Sequence, residues 1–134
     1  MDPIQGIKQW QIDRGLASMP YEPRREIQNI VEELLEGIGR HDDKVTEWSA
    51  NGIFMHENII EPPTEEEVVD SIADQIVFNI GSLLKLNYEP RLVLKETLKE
   101  INSRGGSMGI NGKWIKKITG KEYKADYSKC RRHK

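Results

Sequence analysis

The sequence predicts an all-α fold, and three observations carry that prediction. Three long segments repeat apolar residues at spacings of three and four. No segment alternates apolar and polar residues as a half-buried strand does. Stretches rich in proline and glycine separate the periodic segments, as connections between helices do. With 134 residues, 37% hydrophobic and 31% charged, the chain has the size and composition of one globular domain, residues 1–134.

Taken in order, residues 4–15 ("IQGIKQWQIDRG") read as a short helix closed by Gly15. Residues 16–23 ("LASMPYEP") are a linker broken by Pro20 and Pro23. The first strong helix covers 24–39, with Ile27, Ile30, Val31, Leu34, Leu35 and Ile38 forming a nearly complete apolar face. Residues 41–63 are less regular, with Trp48, Phe54 and Met55 as expected anchors and Gly52 and the Pro62–Pro63 pair as breakers. The second strong helix runs from 65 to about 86 on Val69, Ile72, Ala73, Ile76, Ile80, Leu83 and Leu84. "NYEP" closes it, and Pro90 opens a third helix to about Ser103. "SRGGSMGING" reads as a glycine-rich loop, and a basic tail, about 105–134, follows without sustained periodicity.

Net charge is −2, but it is unevenly spread. Residues 22–74 carry 15 acidic and 4 basic side chains, and residues 113–134 carry 9 basic and 2 acidic. An acidic body with a basic tail suits a site that holds cations and closes over an anionic ligand, and equally a solubilising surface with a nucleic-acid arm. No apolar run approaches the roughly 20 residues of a membrane span, and "MDPIQGIKQW" lacks a signal-peptide pattern, so a cytoplasmic location without membrane attachment is expected. Cys130 is the single cysteine and no His/Cys pair has zinc spacing, so a reduced, non-catalytic thiol is expected there.

The acidic residues are the unusual feature. Glu67, Asp70 and Asp74 recur at spacings of three and four, which places them in one stripe of the second strong helix. Like charges so placed destabilise a helix by roughly 0.2–0.5 kcal/mol per pair. Glu32, Glu33 and Glu36 lie within about 100° of one another on the first helix, opposite its apolar face. Carboxylates gathered from two such helices make a hard-cation site, with Mg²⁺ or Mn²⁺ offsetting the repulsion. A solvated acidic face is the other reading. Thr64 and Glu67 fit a capping box, and the helix dipole favours Glu65 and Glu66 in the first turn. Neither device reaches Asp74, two turns further in.

"EELLE" followed by "EVVDSIAD" resembles the EExxE and ExxD signature of the all-α nucleoside triphosphate pyrophosphohydrolases. These are the MazG-like enzymes, related to dimeric dUTPases and to phosphoribosyl-ATP pyrophosphohydrolase. "IKQWQIDRGL" resembles the family's first helix, with Trp10 at its aromatic position. "DSIADQIVFNIGSLLKLNYEPRLVLKETLKEINSRGG" resembles its second motif helix and the helix after it, and "GKWIKK" and "EYKADYSKC" resemble the tails of phage-type members. Two departures stand out: the long segment between Glu36 and Glu67, and Ser71 three residues before Asp74, which leaves Glu67 and Asp70 as the ExxD pair.

The resemblance implies a helical bundle completed by dimerisation, with a tetramer as the alternative. It implies Mg²⁺-dependent cleavage of a nucleoside triphosphate into monophosphate and pyrophosphate, Mn²⁺ being a possible substitute. Glu33, Glu36, Glu67 and Asp70 would then ligate metal, with Asp74 as an accessory ligand or orienting group. Glu32 and Glu33 would activate the attacking water. Asn102, Arg104, Lys113, Lys116 and Lys117 are the candidates for the phosphates, and solvated tail is the favoured reading for any single lysine. Asn79 is a candidate for sugar or base, or else a satisfied helix asparagine. Trp10 and Trp48 are candidates for base stacking, or else core. His41 and His56 read as surface residues, and Tyr123 and Tyr127 as pins of the tail. The competing class is a non-enzymatic helical module whose basic, aromatic tail binds nucleic acid or protein. The net negative charge and the acidic stripes it leaves unexplained argue against it, so nucleic acid is not expected as a partner.

Overall fold

A computed structural model describes residues 2–54, 61–109 and 114–132, with Phe54 described by its backbone alone. The described chain is mostly helical, in five helices and one small hairpin. It divides into two compact units, Met1–Met19 with Glu65–Lys134, and Pro20–Thr64.

In the first unit, α1 (Pro3–Asp13) begins where Asp2 accepts the Gln5 N–H at 3.2 Å and Pro3 presets the first helical dihedral. It ends at Arg14, and Gly15 then turns the chain at φ +74°, a conformation that costs glycine little. The Gln5 N–H and then the Arg91 guanidinium, 2.6 Å away, hold the Asp2 carboxyl below the usual carboxylate range. A 3₁₀ turn follows at Leu16–Ser18, inside the expected linker.

The long helix α4 (Glu65–Lys85) and α5 (Pro90–Ser103) are joined by a turn in which Asn87 adopts φ +68°. Asparagine tolerates this left-handed position, and the N–H groups of Asn87 and Tyr88 return to the carbonyls of Leu84 and Leu83, both at 2.9 Å. Along α4, residues 69–80 are all exposed, Phe78 at 75% among them. α1 packs on α5, where the Trp10 indole N–H donates to the Ile101 carbonyl at 3.2 Å.

Two expectations need correction. The glycine-rich segment after α5 contains a strand: β1 (Gly105–Met108) pairs antiparallel with β2 (Trp114–Lys117), Gly105 opposite Lys117 and Met108 opposite Trp114. Glycine has low strand propensity, but here the Trp114 ring lies over Gly106 and supplies the contact that glycine lacks. A Cβ on Gly106 would stand 2.5 Å from both the Ile115 carbonyl oxygen and Trp114 Nε1. Gly106→Ala should therefore open the hairpin, cost about 1–3 kcal/mol in stability and shift tryptophan emission. Gly105→Ala, whose Cβ meets nothing within 4 Å, is the control. Equal melting of the two variants would contradict this account.

The second correction lies in Pro20–Thr64. There α2 (Pro23–Gly37) is followed by a helix, α3 (Asp43–Phe54), where an irregular segment was expected. Asp42 starts α3 by accepting the Lys44 N–H at 2.8 Å, and the helix continues through Gly52. α2 ends as Gly39 takes φ +88° and the Arg40 N–H reaches back to the Leu35 carbonyl at 2.7 Å. Among the described residues of this unit, those buried are Val31, Thr46 and Ala50. Its anchors are thus small side chains at helical spacing, and the expected anchor Trp48 is 77% exposed. Met55 lies outside the described residues.

The C-terminal segment is knitted to α5 and to the turn before it. Tyr123 donates its hydroxyl to both carboxylate oxygens of the buried Glu96, at 2.7 and 2.8 Å, and the Tyr127 hydroxyl shares a hydrogen with Thr97 at 3.0 Å. Both tyrosines pin the tail, as expected from the sequence. Further along, the Glu89 N–H meets the Cys130 carbonyl at 2.7 Å and the Arg132 N–H meets the Asn87 carbonyl at 3.0 Å. Cys130 is a free thiol, 1% exposed, and burial pushes its pKa up.

Candidate functional site

The acidic stripe of α4 is real at the level of local structure. Residues 67, 70 and 74 lie within one unbroken helix, so the spacing does place them along one side, and all three side chains are exposed. Seven residues of helix separate Glu67 from Asp74, about 10 Å along the axis, so a single stripe cannot close on one small cation. Among the described residues, no group of three or more His, Cys, Asp or Glu side chains is gathered as metal ligands would be. On α2, Glu33 and Glu36 are exposed and Glu32 is half-buried, opposite the apolar positions. This second stripe belongs to the unit Pro20–Thr64. Each stripe offers carboxylate oxygens, and donors of that kind suit a hard cation such as Mg²⁺.

Of the phosphate-side candidates, the hairpin returns the backbone of Lys116 and Lys117 to the end of α5, their side chains on opposite faces of β2. Asn102 is exposed in the last turn of α5, and Arg104, half-buried, caps that helix with its backbone. The pairing of Gly105 with Lys117 and of Gly106 with Lys116 returns both lysines to the same helix end. Lys113 lies outside the described residues, as does His56. His41 and Asn79 are exposed, Asn79 on α4.

Trp10 is engaged on several sides. Arg14 sets its guanidinium 4.5 Å from the centre of the Trp10 ring and 5.8 Å from that of Trp114, and the two indoles meet edge to face at 6.3 Å. Arg14 and Trp114 escaped the sequence reading, because a cation and an aromatic a hundred residues apart have no shared spacing to betray them. Glu96 was missed for a related reason, although Glu96 and Glu100 flank the apolar stripe of α5 where the tail docks. The carboxylate of Glu122 is set locally. The N–H groups of Thr119 and Gly120 both donate to it, and they hold its pKa down to about 2.

Among the described residues no helix is long and apolar enough to cross a membrane. No protein-family model matches the chain, and no curated protein or solved structure is significantly similar to it.

Proposed function

We propose that the chain is a Mg²⁺-dependent nucleoside triphosphate pyrophosphohydrolase. The observation that carries this reading is the exposed stripe Glu67, Asp70 and Asp74 on a fully formed α4. Helix capping and the dipole explain acid only in the first turn, and Asp74 lies well beyond it. The EExxE-like "EELLE" on α2 supplies the second set of oxygens.

In this reading Glu33, Glu36, Glu67 and Asp70 hold the metal, and Asp74 orients one of these carboxylates or a bound water. When bound, Mg²⁺ supplies charge neutralisation on the phosphates and a more acidic water. Glu32 accepts the proton of the attacking water with Glu33 beside it. The water oxygen bonds to the α-phosphorus as the bond from that phosphorus to the bridging oxygen breaks, and pyrophosphate leaves with the electron pair. Arg104, Lys116 and Lys117, with Asn102 donating, take up charge on the departing pyrophosphate. Asn79 is left for the sugar or base.

A homodimer completes the proposal. Val69, Ile72, Ile76, Ile80 and Leu84 form an apolar stripe of α4 that stays exposed in the single chain, and a second copy would cover it.

The test is release of pyrophosphate from a panel of nucleoside triphosphates with Mg²⁺ or Mn²⁺. Binding to the native state alone also raises stability by mass action, so millimolar Mg²⁺ should raise the melting temperature and EDTA reverse it. No pyrophosphate from any nucleotide, with a melting curve indifferent to metal, would leave the stripes as solvated faces.

A further inference from the structure

The acids and bases of the first unit are segregated along the chain. Residues 91–132 contain 12 basic and 4 acidic side chains. All four acids accept hydrogen bonds from within this segment, Glu96 as a buried residue and Asp126 with its side chain 47% exposed. Glu96 receives the Tyr123 hydroxyl, and Glu100 receives the Ala125 N–H at 3.3 Å. Glu122 receives the N–H groups of Thr119 and Gly120, and Asp126 receives that of Ser128, with Lys129 at 3.8 Å. Among the described residues, Lys95, Lys99, Arg104, Lys116, Lys117, Lys121, Lys124, Arg131 and Arg132 are left with no carboxylate. All but the half-buried Arg104 are exposed.

Six of these cations, Lys99, Arg104, Lys116, Lys117, Lys121 and Lys124, lie on segments that meet at the last turns of α5. The hairpin register returns Lys116 and Lys117 there. The Tyr123 N–H, bonded to Ser103 Oγ at 2.9 Å, brings Lys121 and Lys124, and Lys99 Nζ stands 5.5 Å from the centre of the Tyr123 ring. A helix C-terminus carries roughly half a negative charge, which one cation answers. Six leave a strongly positive surface that attracts a polyanion.

The geometry points to a nucleic-acid backbone as its occupant, bound through phosphates and without regard to base sequence. A repeating phosphate chain matches cations spread around a helix end. Cations already lie on several aromatic rings: Lys99 on Tyr123, Arg131 on Tyr88 at 4.2 Å, and Arg14 on both indoles. Binding rests on phosphate charge, which sets a steep salt dependence.

The test uses the full chain and fluorescently labelled oligonucleotides of two unrelated sequences, single-stranded and as duplexes, across rising salt. Both sequences should bind within about twofold of each other. The triple variant Lys99→Gln, Lys121→Gln, Lys124→Gln, which spares every residue assigned to the nucleotide site, should bind at least tenfold more weakly. Its slope of log affinity against log salt should flatten by about 2, at roughly 0.7 per lost phosphate contact on a single strand. If the triple variant melts early, Lys121→Gln alone should still flatten the slope by roughly 0.7. The inference fails if neither nucleic acid binds at low salt, if binding persists with an unchanged slope, or if the triple variant loses self-association instead. Pyrophosphate release should be unchanged in the triple variant, so failure of this inference and of the hydrolase reading are separable.

Discussion

Glu36→Gln and Asp70→Asn are each expected to lose roughly 100-fold or more in Mg²⁺-dependent pyrophosphate release, since even the outer partners of a metal site are commonly worth 10–100-fold. The helical circular dichroism should be unchanged. Both side chains are exposed and lie within helices, so neither exchange opens a cavity. Gln matches Glu, and Asn matches Asp, closely in helix propensity. What each exchange removes is one negative oxygen donor. The stabilisation by Mg²⁺ should shrink in the same variants, because loss of a ligand weakens binding to the native state. Full turnover in either variant would remove the metal-site reading, whatever the wild type does with nucleotides.

Tyr123→Phe is expected to lower the melting temperature by roughly 4–10 °C and to expose Cys130. Glu96 is 6% exposed, and the Tyr123 hydroxyl is its hydrogen-bond donor on both oxygens. Removing that donor leaves a buried carboxylate unsatisfied, which costs more than the bond itself contributes. The same contact predicts a pH dependence. The hydrogen bond to Glu96, then burial, raises the Tyr123 phenol to about 12. An unfolded tyrosine titrates near 10. The group thus favours the folded state fully below about pH 10, and that advantage is lost as the pH rises through 12. The melting difference between wild type and Tyr123→Phe should hold constant to about pH 10 and narrow above it. Alkylation of Cys130, slow in the wild type because the thiol is 1% exposed, reports release of the tail and should quicken in the variant. Equal alkylation rates and equal melting would show that the clasp contributes nothing.

The helices with large, regularly spaced apolar residues were legible from the sequence. The 90–103 helix matches α5 at both ends, and α1, α2 and α4 match within two or three residues, since proline starts and glycine stops act within the backbone. α3 was not legible, because its buried positions are Thr46 and Ala50, while the conspicuous Trp48 faces water. The hairpin was hidden in a segment that reads as a glycine loop, since Trp114 covers Gly106 only across the strand pair.

The sequence by itself determined the acidic stripes, because helix periodicity alone aligns Glu67, Asp70 and Asp74. It likewise determined the excess of positive charge toward the C-terminus. Only the tertiary structure decided which charges meet solvent. Tyr123 and Ala125 hold Glu96 and Glu100 of α5 against the tail, and the hairpin carries Lys116 and Lys117 back to the end of α5. The physical reason is distance along the chain. A carboxylate and the N–H that satisfies it can lie 25 residues apart, as Glu100 and Ala125 do, and no local spacing records that pairing.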